Sequence, residues 1–227
     1  MIGIIGAMEI ETQALATAVV APKVETVSGI RYVSGKLDGK EVVIATCGVG
    51  KVYAAICAQT MILRYHPDLI INTGVAGTLS PTLGIGDIAL ATELVQHDMD
   101  TSAIGDPIGL VSGINRIYFA ADAETVEKLA SYVAACGGHA EKGRIASGDQ
   151  FVASAERKDF IRQSFGAIAC EMEGAAIAHV ATVNETPFAV LRAISDSADG
   201  DAVEDFPAFA RAAAERTVAV IHRFLNM

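Results

Sequence analysis

Basic residues are scarce in this 227-residue chain, and they never cluster. Its 17 lysines and arginines stand against 27 acidic residues, which gives a formal net charge of −10. A phosphate backbone is bound through basic surfaces, so this balance argues against a nucleic-acid partner. No apolar run reaches the roughly 18 residues of a membrane-spanning helix, and no basic leader is visible. We therefore expect a cytoplasmic protein without nucleic-acid or membrane partners.

Cysteine and histidine are also few, and neither follows a metal-binding pattern. The 4 cysteines lack C-x-x-C spacing and have apolar neighbours, which is typical of buried thiols in a reducing compartment. They are Cys47, Cys57, Cys136 and Cys170. The 5 histidines show no H-E-x-x-H or paired-ligand spacing. We therefore expect neither a disulfide nor a zinc site.

Glycine-rich segments occur three times, but none has the spacing of a nucleotide-binding loop. The first, Gly3 to Gly6, lacks G-x-G-x-x-G, and Gly50-Lys51 lacks both the earlier glycine and the following Ser or Thr of a P-loop. Gly74 to Gly77 is the third, and we expect all three where a strand ends in a turn. Tight turning and close packing are the alternative to a functional role. Ser195-Asp196 lacks the G-x-S-x-G elbow of a serine nucleophile.

Short apolar runs alternate with segments of helical periodicity along the chain. The predicted strands are Ile2–Ala7, Ile30–Leu37, Glu41–Cys47, Leu69–Asn72, Asp87–Val95, Arg144–Ser147, Ala167–Cys170 and Phe188–Ile194. The predicted helices are Glu9–Val19, a helix capped by Asp122 that runs to Cys136, and Lys51–Arg64, Ala153–Gln163, Met172–Thr182 and Phe206–Phe224. Asp38-Gly39 predicts an early hairpin, and Gln96–Asn115 a long loop. This order predicts one α/β domain over residues 1–227, in three α/β/α layers around a central mixed sheet.

Acidic residues follow the ends of three predicted strands. Glu9 and Glu11 follow the first strand, Glu171 and Glu173 follow Cys170, and Asp196 follows Ile194. Because sites in α/β sheets form beyond the carboxyl ends of strands, we expect these acids to converge. Residues two apart on a helix face different directions, so at most one of each pair should point inward and the other should lie at the surface. The alternative is that all five are solvated or cap helix N-termini.

Six segments match one family in order over nearly the whole chain. They are GIIGAMEIE from Gly3, TCGVGKVYAA from Thr46, INTGVAGTL from Ile71, SGDQFV from Ser147, CEMEGAAIAHV from Cys170 and LRAISDSAD from Leu191. Together they resemble the methylthioadenosine/S-adenosylhomocysteine nucleosidases of the purine nucleoside phosphorylase superfamily. The resemblance implies a phosphorylase/hydrolase-like fold, a homodimer, and no metal or organic cofactor. It also implies hydrolysis of a nucleoside N-glycosidic bond with release of adenine.

The resemblance further implies a role for each site residue. Asp196 would protonate N7 of the leaving adenine, Glu11 would activate water, and Glu173 would bind the ribose hydroxyls. Phe151 would stack near adenine, although an aromatic residue at this position is as often part of the core. The other implied substrate-binding residues are Val152 at the adenine edge, Met172 under the ribose, Ser195 and Arg192 behind the carboxylates, Met8, Val49 and Phe206 on the 5′ side, and Val75, Ala76 and Gly77.

Two other functions stay open. A purine nucleoside phosphorylase of the same fold needs arginines for phosphate, but GAMEIE and Asn72 stand where they are expected, and Val75 stands in place of a serine. A non-catalytic nucleoside-binding protein would not need ionisable groups at Glu11 and Asp196. The family's 5′ pocket is closed by a partner loop, here Gln96–Asn115. Ile104 and Asp106 in this loop reduce aromatic cover, which predicts a preference for S-adenosylhomocysteine over methylthioadenosine.

Overall fold

The computed structural model describes residues 1–226, which form one ten-stranded sheet and six α-helices. The strands are β1 Ile2–Gly6, β2 Val20–Val27, β3 Ile30–Leu37, β4 Lys40–Thr46, β5 Leu69–Thr78, β6 Ile88–Gln96, β7 Tyr118–Ala120, β8 Ala140–Ser147, β9 Ala167–Glu171 and β10 Phe188–Asp196. The helices are α1 Glu9–Ala18, α2 Lys51–Tyr65, α3 Ala123–Ala135, α4 Ala155–Phe165, α5 Gly174–Val183 and α6 Ala202–Leu225. Within residues 1–226, no helix is both long and apolar enough to cross a membrane.

Parallel and antiparallel pairs are mixed in the sheet, as predicted. β5 pairs in parallel with β1 and β10 and antiparallel with β9. From β10 the pairing continues through β6 and β8 back to β9, so these strands and β5 close a ring. β1, β4, β3 and β2 extend the sheet outward from β5. The carboxyl ends of β1, β5 and β10 consequently meet at one edge.

Successive strand residues face two separate cores. Ile5 packs in a core with side chains of α2 and α5, whereas its neighbour Ile4 packs in a core with α1, α3 and α6. This alternation follows from the two-residue period of a strand. Full burial of one such side chain stabilises the fold by about 1.5–3 kcal/mol. Because both faces of the sheet carry such side chains, each face is covered by its own layer of helices. The predicted α/β/α architecture is confirmed.

Local signals located several elements correctly. Asp38 and Gly39 have φ values of +51° and +81°, as a two-residue hairpin turn between β3 and β4 requires. The Asp122 carboxylate accepts the Thr125 N–H at 2.8 Å and caps α3. Gln96–Asn115 has no regular element beyond the last residue of β6 and the short 3₁₀ helix Ser102–Ile104.

Other predictions were wrong. Gly74 and Gly77 lie inside β5, which continues to Thr78 instead of ending in a turn. A Cβ on Gly77 would lie 2.6 Å from Asp196 Oδ1, so close approach of the β10 side chains requires glycine there. α6 begins at Ala202, earlier than expected, and its acidic first turn suits a helix N-terminus.

The two short or exposed strands, β2 and β7, were not predicted. Nearly all of β2 is exposed, so its sequence has no apolar alternation to mark it. The cysteine prediction holds for three of the four residues, whose thiols are free and buried. Cys136 is free but exposed, because it lies at the C-terminal end of α3.

Candidate active site

A cavity of about 250 Å³ lies at the carboxyl ends of the central strands. Every catalytic or substrate-binding residue that the family resemblance implies lines it: Met8, Glu11, Val49, Val75, Ala76, Gly77, Phe151, Val152, Met172, Glu173, Arg192, Ser195, Asp196 and Phe206. Four further residues complete the lining: Ala7, Gln150, Cys170 and Glu171. The cavity combines a carboxylate-rich floor with an apolar rim.

Glu11 lies in the first turn of α1 and is held by three backbone N–H groups. Its Oε2 accepts from Ala7 at 2.7 Å and Met8 at 2.9 Å, and its Oε1 accepts from Val75 at 3.2 Å. Burial raises its pKa, although the Arg192 charge and these hydrogen bonds act in the opposite direction. Glu11 therefore caps its own helix and also lines the cavity, so the capping and site interpretations both apply.

Asp196 is the last residue of β10. Its Oδ2 accepts the Ser195 hydroxyl and its Oδ1 accepts the Ala198 N–H, each at 2.9 Å. Burial raises the pKa of Asp196, and the nearby Asp205 and Asp199 carboxylates add to this effect against the two hydrogen bonds. Both carboxyl oxygens are thus held by hydrogen bonds, while burial makes the group easier to protonate than an exposed aspartate.

Glu173 comes directly before α5 and reaches the N-terminus of α2. Its Oε1 accepts the Gly50 N–H at 2.8 Å, and its Oε2 lies 3.5 Å from Arg192 Nη2. The pKa of Glu173 is raised to about 7. Burial is the main cause, Arg192 acts against it, and the Glu171 carboxylate adds to it. Gly50 has a φ of +99°, which glycine adopts without strain.

The expectation that at most one acid of each pair points inward is confirmed for one pair and wrong for the other. Glu9 is exposed and Glu11 is buried. Glu171 and Glu173, however, are both buried. Glu171 ends β9 and caps α5, since its carboxylate accepts the N–H groups of Glu173 at 3.0 Å and Gly174 at 2.8 Å.

Arg192 lies beneath the acids and is buried to 1% exposure. It forms an ion pair with Glu171, and its Nη2 donates to Asn72 Oδ1 at 2.6 Å. A buried guanidinium needs such partners, because an uncompensated charge in the interior is costly. A Cβ on Gly74 would overlap the guanidinium and lie 2.7 Å from Glu11 Oε1. The glycine in β5 therefore makes room for the charged groups.

The rim of the cavity is apolar. Phe151 and Phe206 meet edge to face, with ring centroids 5.6 Å apart, and both Phe151 and Val49 are partly exposed. Ile104 and Asp106 do not line the cavity of their own chain. Ile104 is 82% exposed, and Asp106 accepts a hydrogen bond from Thr101 Oγ1 at 2.8 Å.

Comparison with known proteins identifies the class to which this fold and site belong. The protein-family model described as the phosphorylase superfamily matches residues 1–226 of this chain. The 5′-methylthioadenosine/S-adenosylhomocysteine nucleosidase of Staphylococcus saprophyticus is 40% identical over 100% of this chain and 99% of its own length.

Solved structures agree with this assignment. The Neisseria meningitidis 5′-methylthioadenosine/S-adenosylhomocysteine nucleosidase, in complex with methylthio-immucillin-A, has a TM-score of 0.95 and 36% identity, covering 99% of this chain and 98% of that one. A futalosine hydrolase from Helicobacter pylori has a TM-score of 0.92 and 36% identity, covering 97% and 94%. The fold and site are those of the phosphorylase superfamily. Within it, the chain belongs to the 5′-methylthioadenosine/S-adenosylhomocysteine nucleosidases, which are N-glycosidic hydrolases.

Proposed function

We propose that this chain hydrolyses the N-glycosidic bond of S-adenosylhomocysteine, 5′-methylthioadenosine or both, releasing adenine and the 5-thioribose product. The observation that carries the proposal is the convergence of Glu11, Glu173 and Asp196 on one cavity, each held by at least one backbone N–H. Breaking the bond places negative charge on the base and positive charge on the sugar. Carboxyl groups serve both ends, as proton donors to the base and as anions beside the ribose.

Asp196 is the proposed general acid for the leaving adenine. A general acid works best when its pKa is close to the operating pH, and burial raises the pKa of Asp196 from its usual acidic value. Hydrogen bonds from Ser195 and Ala198 hold both carboxyl oxygens in place. The carboxyl group is therefore fixed at the cavity, where it would deliver its proton to N7 of the base.

Glu11 is the proposed group that orients and activates the attacking water. Three backbone N–H groups fix its two oxygens: Oε2 accepts two of them and Oε1 accepts one, so Oε1 keeps a lone pair for a water molecule. Since the anchoring donors come from two different elements, the carboxylate needs little reorganisation when water attacks. A negative charge on Glu11 also favours an oxocarbenium-like ribose.

The remaining contacts divide between the ribose, the base and the 5′ group. Glu173 is the proposed partner of the ribose hydroxyls, with Met172 beneath the sugar. Phe151 would stack near adenine, and the buried Val152 would read its edge through the backbone. On the 5′ side, the apolar lining residues are Met8, Val49 and Phe206. An apolar 5′ side suits a thioether better than a phosphate.

A phosphorylase reaction fits this cavity less well. The cavity's arginine, Arg192, is buried and already engaged with Glu171 and Asn72. A phosphate beside Glu11 and Glu173 would meet like charges without a free cation to offset them. Water, which is neutral, has no such penalty, and the proposed chemistry uses neither a metal nor an organic cofactor.

We propose that the chain acts as a homodimer with its 5′ pocket closed by the partner's loop 96–115. One face of α2 supports an interface, because Val52, Tyr53, Ile56 and Leu63 are 69%, 54%, 38% and 63% exposed. This apolar face adjoins Val49 at the cavity rim, and such patches mark interaction surfaces. Light scattering at micromolar concentration should give a dimer mass. A fully active monomer would contradict the assembly.

We make two further proposals, which concern the domain organisation and the location of the protein in the cell. The continuous sheet with its two cores supports a single nucleosidase domain over residues 1–227. Free thiols at all four cysteines support a location in the reducing cytoplasm.

One experiment separates the candidate functions. The protein is incubated with S-adenosylhomocysteine or 5′-methylthioadenosine in phosphate-free buffer, and free adenine is measured by chromatography. A hydrolase releases adenine without phosphate, a phosphorylase only when phosphate is added, and a binding protein in neither case. Futalosine is run in parallel, because a futalosine hydrolase is among the similar structures. A clear preference for futalosine would reject the proposed substrate class.

A further inference from the structure

A hydrogen-bonded group of residues lies just outside the cavity, between β6, the start of α2 and the turn after β8. Its central pair is Lys51 and Asp98, whose Nζ and Oδ1 are 2.6 Å apart. Neither residue lines the cavity. Both are only partly exposed, at 18% and 25% of their side chains, so the pair is shielded more than an ordinary surface ion pair.

Lys51 and Asp98 hold the turn 148–152 through two hydrogen bonds with Asp149. The second Asp98 oxygen, Oδ2, accepts the Asp149 N–H at 2.9 Å, and the Asp149 carboxylate accepts the Lys51 N–H at 2.7 Å. These contacts close a ring that joins Lys51, Asp98 and Asp149. Hydrogen bonds from Lys51 and Asp149 hold the pKa of Asp98 below its usual value, although partial burial acts the other way.

The ring connects directly to two parts of the cavity. Gly50, the residue before Lys51, donates its N–H to Glu173 Oε1 at 2.8 Å. On the other side, Asp149 is followed by Gln150, Phe151 and Val152, which line the cavity. By contrast, Glu11 and Asp196 receive their hydrogen bonds from other segments of the chain.

We propose that Lys51 and Asp98 are positioning residues, which lock the turn 148–152 onto the start of α2 and thereby fix both Glu173 and the adenine contacts. The proposal rests on the function proposed above, since it assigns ribose and base recognition to these groups. It states that the pair controls recognition of the nucleoside and leaves proton transfer and water activation unchanged.

The test is a double-mutant cycle with Lys51→Met, Asp98→Asn and the double variant. Loss of one well-aligned contact should raise KM about 10-fold, while kcat stays within about 3-fold because Asp196 and Glu11 keep their partners. Discrimination against a 2′-deoxy substrate should fall as well, because Glu173 is no longer held. Since both residues serve one ring, the double variant should resemble each single variant.

A matched control comes from another lysine–carboxylate ion pair with the same distance between Nζ and the carboxylate oxygen. Lys142 Nζ and Glu127 Oε1 are also 2.6 Å apart, but this pair is exposed and neither residue lines the cavity. Lys142→Met and Glu127→Gln should leave KM and 2′-deoxy discrimination unchanged. Lys51→Arg, which keeps the cation, should restore KM to within about 3-fold of wild type.

Hydrogen exchange provides a readout that does not require turnover. In Asp98→Asn, the amides of 148–152 and of Gly50 should exchange at least about 10-fold faster than in wild type. If wild type releases no adenine, the proposed function fails and exchange alone decides whether the ring holds the turn. An unchanged KM, additive effects in the cycle, or unchanged exchange would overturn the proposal. If Asp98→Asn does not fold, Lys51→Met and Lys51→Arg decide by the same criteria.

Discussion

Replacing Asp196 by asparagine removes the proposed proton donor while keeping the shape of the side chain. The amide oxygen can still accept the Ala198 N–H, which lies 2.9 Å from Oδ1. The amide nitrogen takes the place of the oxygen that accepts the Ser195 hydroxyl. That hydroxyl can accept from the amide and turn its own hydrogen to the Ala76 carbonyl, 3.5 Å away. One hydrogen bond is therefore reoriented and none is left without a partner.

The effect on stability should consequently be small. A reoriented hydrogen bond costs about 1 kcal/mol, and removing a carboxylate that burial disfavours offsets part of this. For a protein of this size, 1 kcal/mol corresponds to a change in Tm of about 2–4 °C. Thermal unfolding followed by circular dichroism measures it, since the chain contains no tryptophan for fluorescence.

The effect on turnover should be far larger. General acid catalysis contributes about 10²–10⁴-fold, equivalent to roughly 2.7–5.5 kcal/mol of activation free energy. Initial rates of adenine release, measured by chromatography, give this ratio. Asp205→Asn is the matched control. The Asp205 carboxylate raises the pKa of Asp196, but Asp205 does not line the cavity. The control should keep kcat within about 10-fold of wild type.

Two results would refute the reasoning. If Asp196→Asn keeps more than about a tenth of the wild-type rate, its contribution falls below the range of general acid catalysis. If the variant unfolds at much lower temperature and also loses adenine binding in calorimetry, Asp196 has a structural role instead.

Three other substitutions or comparisons test the site. Glu11→Gln should abolish hydrolysis with little change in adenine affinity, measured by calorimetry, because its proposed task is to orient water; lost affinity would contradict that task. Glu173→Gln should discriminate less against a 2′-deoxy substrate than wild type does. Equal discrimination would show that Glu173 does not bind the ribose hydroxyls. The pKa of Glu173 is raised to about 7 in the folded state. Its contribution to the free energy of unfolding is therefore fully present below its ordinary pKa of 4.5 and is lost as the pH rises through 7. Urea denaturation should therefore show wild type losing stability relative to Glu173→Gln across that window, and parallel pH profiles would exclude the shift. The ratio of kcat/KM should favour S-adenosylhomocysteine over methylthioadenosine, since the proposed closing loop carries Ile104 and Asp106 and would give the 5′ group little aromatic cover. A ratio favouring methylthioadenosine would reject this preference.

Local sequence patterns predicted most of the elements because their signals act over short distances. The Asp38-Gly39 turn adopts the left-handed conformation that its residue types favour, and Asp122 caps the helix that follows it. Glu11 and Asp196 could be placed near one another because β1 and β10 run parallel to β5 and end at a common edge, whereas β9, which precedes Glu173, pairs antiparallel with β5. The edge strand β2 escaped prediction because exposed residues carry no apolar period.

The sequence by itself determined the layered α/β architecture, the family and most of the residues that line the cavity. Only the tertiary structure decided that Gly74 and Gly77 lie within a strand, because the side chains that require glycine there come from Glu11 in α1 and from Arg192 and Asp196 in β10. The burial of Glu171 was likewise decided at long range. Its spacing from Glu173 suggested one surface residue, but Arg192, 21 positions away in sequence, supplies the charge that makes burial of both acids tolerable.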